Sequence, residues 1–236
     1  MSNAYFDFKQ FRIVQDACAM KVSTDACIQG AWTPVAEQVR SVLDIGAGTG
    51  LLAMMIAQRW PECICDAIEI NPQAAAQATE NVNSSQFASR INVHCADAEQ
   101  WIPDRKYDMV ICNPPFFEKS LKSDDTARMQ ARHTDSLSYE ALASLIAQAL
   151  NKEGYASILL PAGQEQSWSE ACARSGLSVS QRLLIRPFAD RDPNRVIFMT
   201  GTDLTNSADE ELIIYEKPGI YTETFKELMR PFYLHL

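Results

Sequence analysis

Short apolar runs alternate with stretches of helical period through the middle of this chain. SVLDIG (41–46), CICDAIEI (63–70), INVHCADA (91–98), YDMVICN (107–113) and YASILLP (155–161) are nearly continuous in hydrophobicity and bounded by turn formers, as strands buried on both faces are. Between them, GLLAMMIAQRW (50–60) reads as a helix stopped by Pro61. QAAAQATENVNSS continues a helix that Asn71 caps and Pro72 opens. SYEALASLIAQAL (138–150) is an amphipathic helix, expected to close at Gly154, and EQSWSEACARSG (165–176) is another. SVSQRLLIRP and NRVIFMTG look like an antiparallel pair. EELIIYE (210–216) suits an edge strand, and TETFKELMRPFYLHL (222–236) a helix interrupted at Pro231. The alternation predicts an α/β fold, with a mostly parallel sheet, an antiparallel final strand and helices on both faces. Residues 1–40 precede it and are expected to form a small lid segment on the main domain, residues 41–236.

Composition narrows this picture. At 47% hydrophobic, the 236 residues can build a sizeable core. No run of 18 apolar residues is free of charges, so no membrane span is expected. The 7 cysteines include no Cys-x-x-Cys pair and several sit inside apolar runs, which predicts reduced core residues, no metal site and a cytoplasmic location. The net charge of −9 weighs against a nucleic-acid partner. Charge is unevenly placed, however. Arg174, Arg182, Arg186, Arg191 and Arg195 crowd one stretch, and Lys119, Lys122, Arg128, Arg132 and His133 another. A local basic face therefore stays open.

Candidate chemistry begins at LDIGAGTG (43–50), a strand-to-helix turn. Gly46, Gly48 and Gly50 permit a tight turn and close approach of a ligand to the backbone. A dinucleotide site would space its glycines G-x-G-x-x-G, whereas this turn reads G-x-G-x-G, with Asp44 two residues before it. Glu69, at the end of the next strand, can accept hydrogen bonds from both hydroxyls of a ribose, in either kind of site. Asp97 follows the third strand, as a ligand or as a turn acid.

NPPF (113–116) counts further against a dinucleotide site, because hydride transfer has no use for it. The prolines fix a rigid corner at the end of a buried strand. The corner resembles that of methyltransferases that modify planar-bound nitrogen, and the resemblance implies an amine target: an exocyclic amine is a poor nucleophile, and two acceptors aimed at its hydrogens favour the charge that develops on nitrogen. The Asn113 side-chain carbonyl and the Pro114 backbone carbonyl can be those acceptors. Phe116 offers a ring for stacking, with Pro115 beside it.

These motifs resemble those of the class I S-adenosylmethionine-dependent methyltransferases, and the corner resembles their [DN]-P-P-[YFW] motif. The N-terminal stretch FDFKQFRIVQDACAMKVSTDACIQGAW (6–32) is more specific. It resembles the opening of a bacterial family that methylates N6 of adenine 37 in a valine tRNA, through Phe6, Phe8, Lys9, Gln10, Phe11, Met20, Lys21, Val22, Thr24, Asp25, Gly30, Ala31 and Trp32. The resemblance covers roughly two thirds of the chain well. It implies a Rossmann-like sheet, S-adenosylmethionine as cofactor and tRNA as partner. The glycine turn would then hold the amino-acid part of the cofactor, and Asp97 its adenine amino group. Lys21, Thr24 and Asp25 would border the methionine end. Residues 118–133, with Lys119, Arg128 and Arg132, would form a loop carrying positive charge towards tRNA phosphates, although their polar composition equally suits a plain surface loop. The chain departs from the family at Cys27-Ile28-Gln29, where relatives carry a leucine-rich run, and at Phe116, where tyrosine is frequent. A rival reading is a protein glutamine N5-methyltransferase, which uses the same corner on a planar amide.

Overall fold

Alternation with period two sorts the strand residues onto two sides of one sheet. In β3 (Ser41–Ile45), Val42 joins one core while Leu43 and Ile45 join the other. In β6 (Tyr107–Cys112), Met109 and Ile111 face the first core, and Val110 and Cys112 the second. In this computed structural model, residues 4–18, 20–34, 39–114, 137–203, 205 and 207–236 are described.

The chain opens with a hairpin, β1 (Tyr5–Asp7) and β2 (Arg12–Val14), then α1 (Thr24–Trp32). After β3 come α2 (Leu51–Arg59), β4 (Ile64–Glu69), α3 (Pro72–Asn83), β5 (Ile91–Cys95) and β6. Next are α4 (Tyr139–Ala149), β7 (Leu150–Pro161), α5 (Glu165–Arg174), β8 (Ser178–Arg186), β9 (Arg195–Gly201) and β10 (Glu210–Ile213). A short hairpin, β11 (Tyr215–Lys217) with β12 (Ile220–Tyr221), leads into α6 (Glu223–Met229).

The main sheet has the order β10-β8-β9-β7-β6-β3-β4-β5. Every neighbouring pair is parallel except those of β9, which runs antiparallel between β7 and β8. The expected antiparallel strand is thus inserted within the sheet, and β10 takes the edge. Helices α1, α2 and α6 share the first core, and α4 and α5 the second.

Local chemistry sets the helix ends. Asn71 Oδ1 accepts from the backbone N–H groups of Gln73 and Ala74, and Pro72 follows, as the sequence predicts. At Gly30 a Cβ would lie 2.7 Å from Met55 Sδ, so α1 approaches α2 closely there. Arg59 on α2 donates to the carbonyls of Gly30 (2.8 Å) and Thr33 (2.7 Å) and so closes α1; burial draws its guanidinium down to about 10. Gly154 does not close α4. That helix ends at Ala149 and its cap, Leu150, begins β7 directly. Gly154 lies inside β7, where a Cβ would come within 2.9 Å of the Tyr107 carbonyl. The missing side chain lets β7 pass β6 where their register shifts.

Described residues from the first 40 pack into the same core as the rest. Phe8, Phe11, Ile13, Cys27 and Ile28 are buried with α2 and α6, and the Lys9 N–H donates to the Phe232 carbonyl (2.8 Å). All seven cysteines are unpaired, and six are buried, with Cys95 exposed. Among the described residues no helix is long and apolar enough to cross a membrane, and no three His, Cys, Asp or Glu side chains gather as a metal site would need.

Candidate active site

The carboxyl ends of β3, β4, β5 and β6 meet at one edge, with β3 between strands that continue in opposite directions. A crevice at such a reversal is where open α/β sheets bind ligands. Here it is a cleft of about 250 Å³, lined by Gly46, Gly48, Glu69, Asn71, Asp97 and Pro114, among others.

The glycine turn forms its floor. Gly46 (φ 72) and Gly48 (φ 55) are left-handed, and a Cβ on either would meet nothing within 4 Å. The backbone there faces open space that a ligand can fill. Gly50, also left-handed, is the N-cap of α2 and has no side chain to satisfy the first turn. Asp44 does that from the neighbouring strand, its Oδ2 accepting from the Ala53 N–H at 3.0 Å. Asp44 is fully buried and its Oδ1 has no partner. Burial pushes its carboxyl up to about 7, against the pull of the Ala53 N–H.

Two carboxylates hold the cleft walls. Glu69 accepts from the Gly48 N–H through Oε2 and from the Asn71 N–H through Oε1, each at 2.9 Å. It ties the glycine turn to the start of α3 and keeps lone pairs for further donors. Asp97 accepts from the Glu99 N–H and the Gln100 side chain, both at 2.9 Å, so it holds its own turn as well as lining the cleft.

Asn113 stands between Cys112 and Pro114, both of which line the cleft. Its Oδ1 is buried without a partner among the described residues. A buried acceptor left so costs about 1–3 kcal/mol, a cost a bound donor would remove. The cleft thus brings together an open glycine turn and the Glu69 carboxylate, with the buried Asn113 acceptor beside its Cys112 and Pro114 lining. Pro115, Phe116, Lys119, Arg128 and Arg132, with the loop 118–133, lie outside the described residues.

Lys21, Thr24 and Asp25, expected at the methionine end, are not among the lining residues. Thr24 opens α1 and its side chain hydrogen-bonds Tyr233. Asp25 lies 3.3 Å from Arg195 across to β9; burial raises its pKa more than the arginine lowers it. Lys21 is exposed and helps, behind the Gln77 amide, to hold the Asp16 carboxyl low. Sequence reasoning missed Cys18, Met20, Ile70 and Leu137 as lining residues. Two left a signal: Met20 within the N-terminal stretch that carries the resemblance, and Ile70 as an apolar residue directly after Glu69 at a strand end.

The arginine-rich stretch is largely neutralised. Arg174 pairs with Glu140 (3.0 Å), Arg182 with Asp209 (2.5 Å), Arg186 with Glu211 and Arg195 with Asp25. Arg191 is exposed and has no acid partner among the described residues.

Comparison with known proteins agrees with this geometry. The family model described as "Methyltransferase small domain" matches residues 32–157. A tRNA1(Val) (adenine(37)-N6)-methyltransferase of Dyadobacter fermentans is 39% identical, with 98% of each chain covered. Its counterpart in Escherichia coli is 38% identical over 98% of this chain and 95% of its own. Among solved structures, a predicted O-methyltransferase from Agrobacterium tumefaciens superposes with a TM-score of 0.68 at 20% identity, covering 88% of this chain and 96% of that one. A glycopeptide N-methyltransferase complexed with S-adenosylmethionine gives 0.56 at 12% identity, over 79% of this chain and 97% of that one. At these identities the two structures speak for the fold alone.

Proposed function

Because this chain belongs to the methyltransferase small domain family and aligns almost end to end with tRNA1(Val) (adenine(37)-N6)-methyltransferases, we propose that it methylates N6 of an adenine in tRNA, adenine 37 of a valine tRNA. The single observation that carries the chemistry is the partnerless Asn113 Oδ1 at the end of β6. S-adenosylmethionine, when bound, supplies a methyl group already activated on a sulfonium. The protein's task is alignment and electrostatics.

Gly46 and Gly48 let the ligand lie against backbone. Glu69 accepts from the ribose hydroxyls with the lone pairs that Gly48 and Asn71 leave free, and Asp97 takes the adenine amino group. Asn113 Oδ1 and the Pro114 carbonyl accept the two hydrogens of the target amine, which keeps its lone pair directed at the methyl group. Phe116 stacks on the extruded base, beside Pro115, and Lys119, Arg128 and Arg132 meet tRNA phosphates. Lys21, Thr24 and Asp25 border the methionine end, and residues 1–40 act as a lid segment. With tRNA as its partner the enzyme works in the cytoplasm.

The test is to incubate the protein with bulk tRNA and labelled cofactor, digest the RNA and identify the labelled nucleoside. The reading expects N6-methyladenosine. Label on the glutamine side chain of a protein substrate, with tRNA left unlabelled, would replace it with amide methylation.

A further inference from the structure

A buried amide stands directly behind the Asn-Pro corner. Gln29, in the middle of α1, is fully buried. Its Nε2 donates to the Cys112 carbonyl at 3.0 Å and to the Ser157 carbonyl at 2.9 Å. One side chain from outside the sheet thus bridges the end of β6 and the neighbouring strand β7. Thr33 completes the cluster. Its hydroxyl donates to the Gln29 backbone carbonyl (2.7 Å) and lies 2.8 Å from Ser157 Oγ. At the far end of α1, Asp25 pairs with Arg195 on β9. The helix is therefore fastened across three strands at the edge where the site lies.

The cluster is expensive as mere packing. Gln29 Oε1 is buried with no partner, which an apolar side chain of the same size would avoid. What the amide adds is direction. The Cys112 carbonyl and the Asn113 N–H belong to one planar peptide unit, so fixing that carbonyl fixes the plane from which Asn113 departs. Pro114 then restricts Asn113 from the other side.

We propose that Gln29 is a positioning residue: by holding the Cys112 carbonyl it sets the direction of Asn113 and so the aim of the amine acceptor. The proposal deepens the function stated above and rests on it for its kinetic arm. Gln29→Leu removes both donations and keeps a similar volume. With saturating cofactor, single-turnover transfer to tRNA should fall about 10- to 100-fold, as expected when a reacting group is slightly misplaced. Cofactor affinity should stay within about twofold. Leu145→Ala, a buried change in the other core, serves as a destabilised control and should transfer at the parent rate wherever it remains folded.

A second readout needs no substrate. In isotope-labelled protein, Gln29→Leu should shift or broaden the Asn113 amide signals and leave those of Gly48 in place. Unmoved Asn113 signals, transfer at the parent rate, or an equal loss in Leu145→Ala would each overturn the positioning role. A parent protein that leaves tRNA unmodified, while Asn113 still responds to Gln29→Leu, would instead remove the reading of function and keep the role of Gln29.

Discussion

The two halves of the sheet edge are finished to different degrees. On the β3–β5 half, Glu69 and Asp97 each have both carboxylate oxygens engaged, and the glycine turn is set by the Gly48 bond to Glu69. On the β6–β9 half, Asn113 Oδ1 and Gln29 Oε1 are buried without donors. The first half is shaped by its own hydrogen bonds before any ligand arrives. The second keeps an acceptor that no donor among the described residues meets. A cofactor that must bind in every turnover suits the preformed half, and a base that must be recognised suits the incomplete one. Asp44 is the exception, a partly satisfied carboxylate under the preformed half.

That exception gives the largest expected effect. The folded pKa of Asp44, about 7, stands above its ordinary 3.8, so the fold favours the protonated form. The stability this contributes is fully present below about pH 4 and is lost as pH rises through about 7. At about 1.4 kcal/mol per unit the loss is on the order of 4 kcal/mol. Asp44→Asn should lack this dependence. Denaturant unfolding of both proteins across that window checks it, and parallel pH profiles would mean that folding does not raise the Asp44 pKa.

Next in size is Glu69→Ala, which strips the preformed half of its brace. Cofactor binding should weaken by about 1–3 kcal/mol, the cost of losing charged hydrogen bonds. Calorimetric titration of the folded variant reads this directly, and unchanged affinity would separate Glu69 from the ligand.

The smallest effects concern the arginines beside the incomplete half. Arg182 is already neutralised by Asp209. Arg182→Ala should cost at most about 1 kcal/mol of stability and leave the salt dependence of tRNA binding unchanged. Arg191→Ala should reduce the steepness of that dependence by about one unit, if it meets a phosphate. Equal slopes for the two variants would show that pairing with acids does not sort these arginines.

The preformed half was the more legible in the sequence, for a physical reason. Its features are local. The glycine turn, Glu69 at a strand end and the Asn71-Pro72 cap each fall within a few residues of the element they serve. The rest depends on distant partners. Arg182, Arg186 and Arg195 read as a basic cluster because the acids that neutralise them lie elsewhere in the chain. Gln29 reads only as a departure from a leucine-rich run, because the carbonyls it binds belong to β6 and β7. Gly154 read as a helix stop, whereas its reason is the close passage of β7 by Tyr107, which no window around the glycine contains. The insertion of β9 between β7 and β8 is likewise a pairing choice that strand patterns leave open.

The central claim is that the incomplete half is completed by the target amine, and Asn113→Ala tests it most directly when binding and transfer are measured on the same protein. Cofactor affinity should stay near that of the parent, and single-turnover methyl transfer to tRNA should fall about 100- to 1000-fold, the usual cost of one preorganised electrostatic partner. Asn113→Asp, which keeps an acceptor, should retain more activity than alanine. Transfer by the alanine variant at the parent rate would contradict the account, because the Asn-Pro corner would then be a turn and its buried oxygen would have no part in the chemistry.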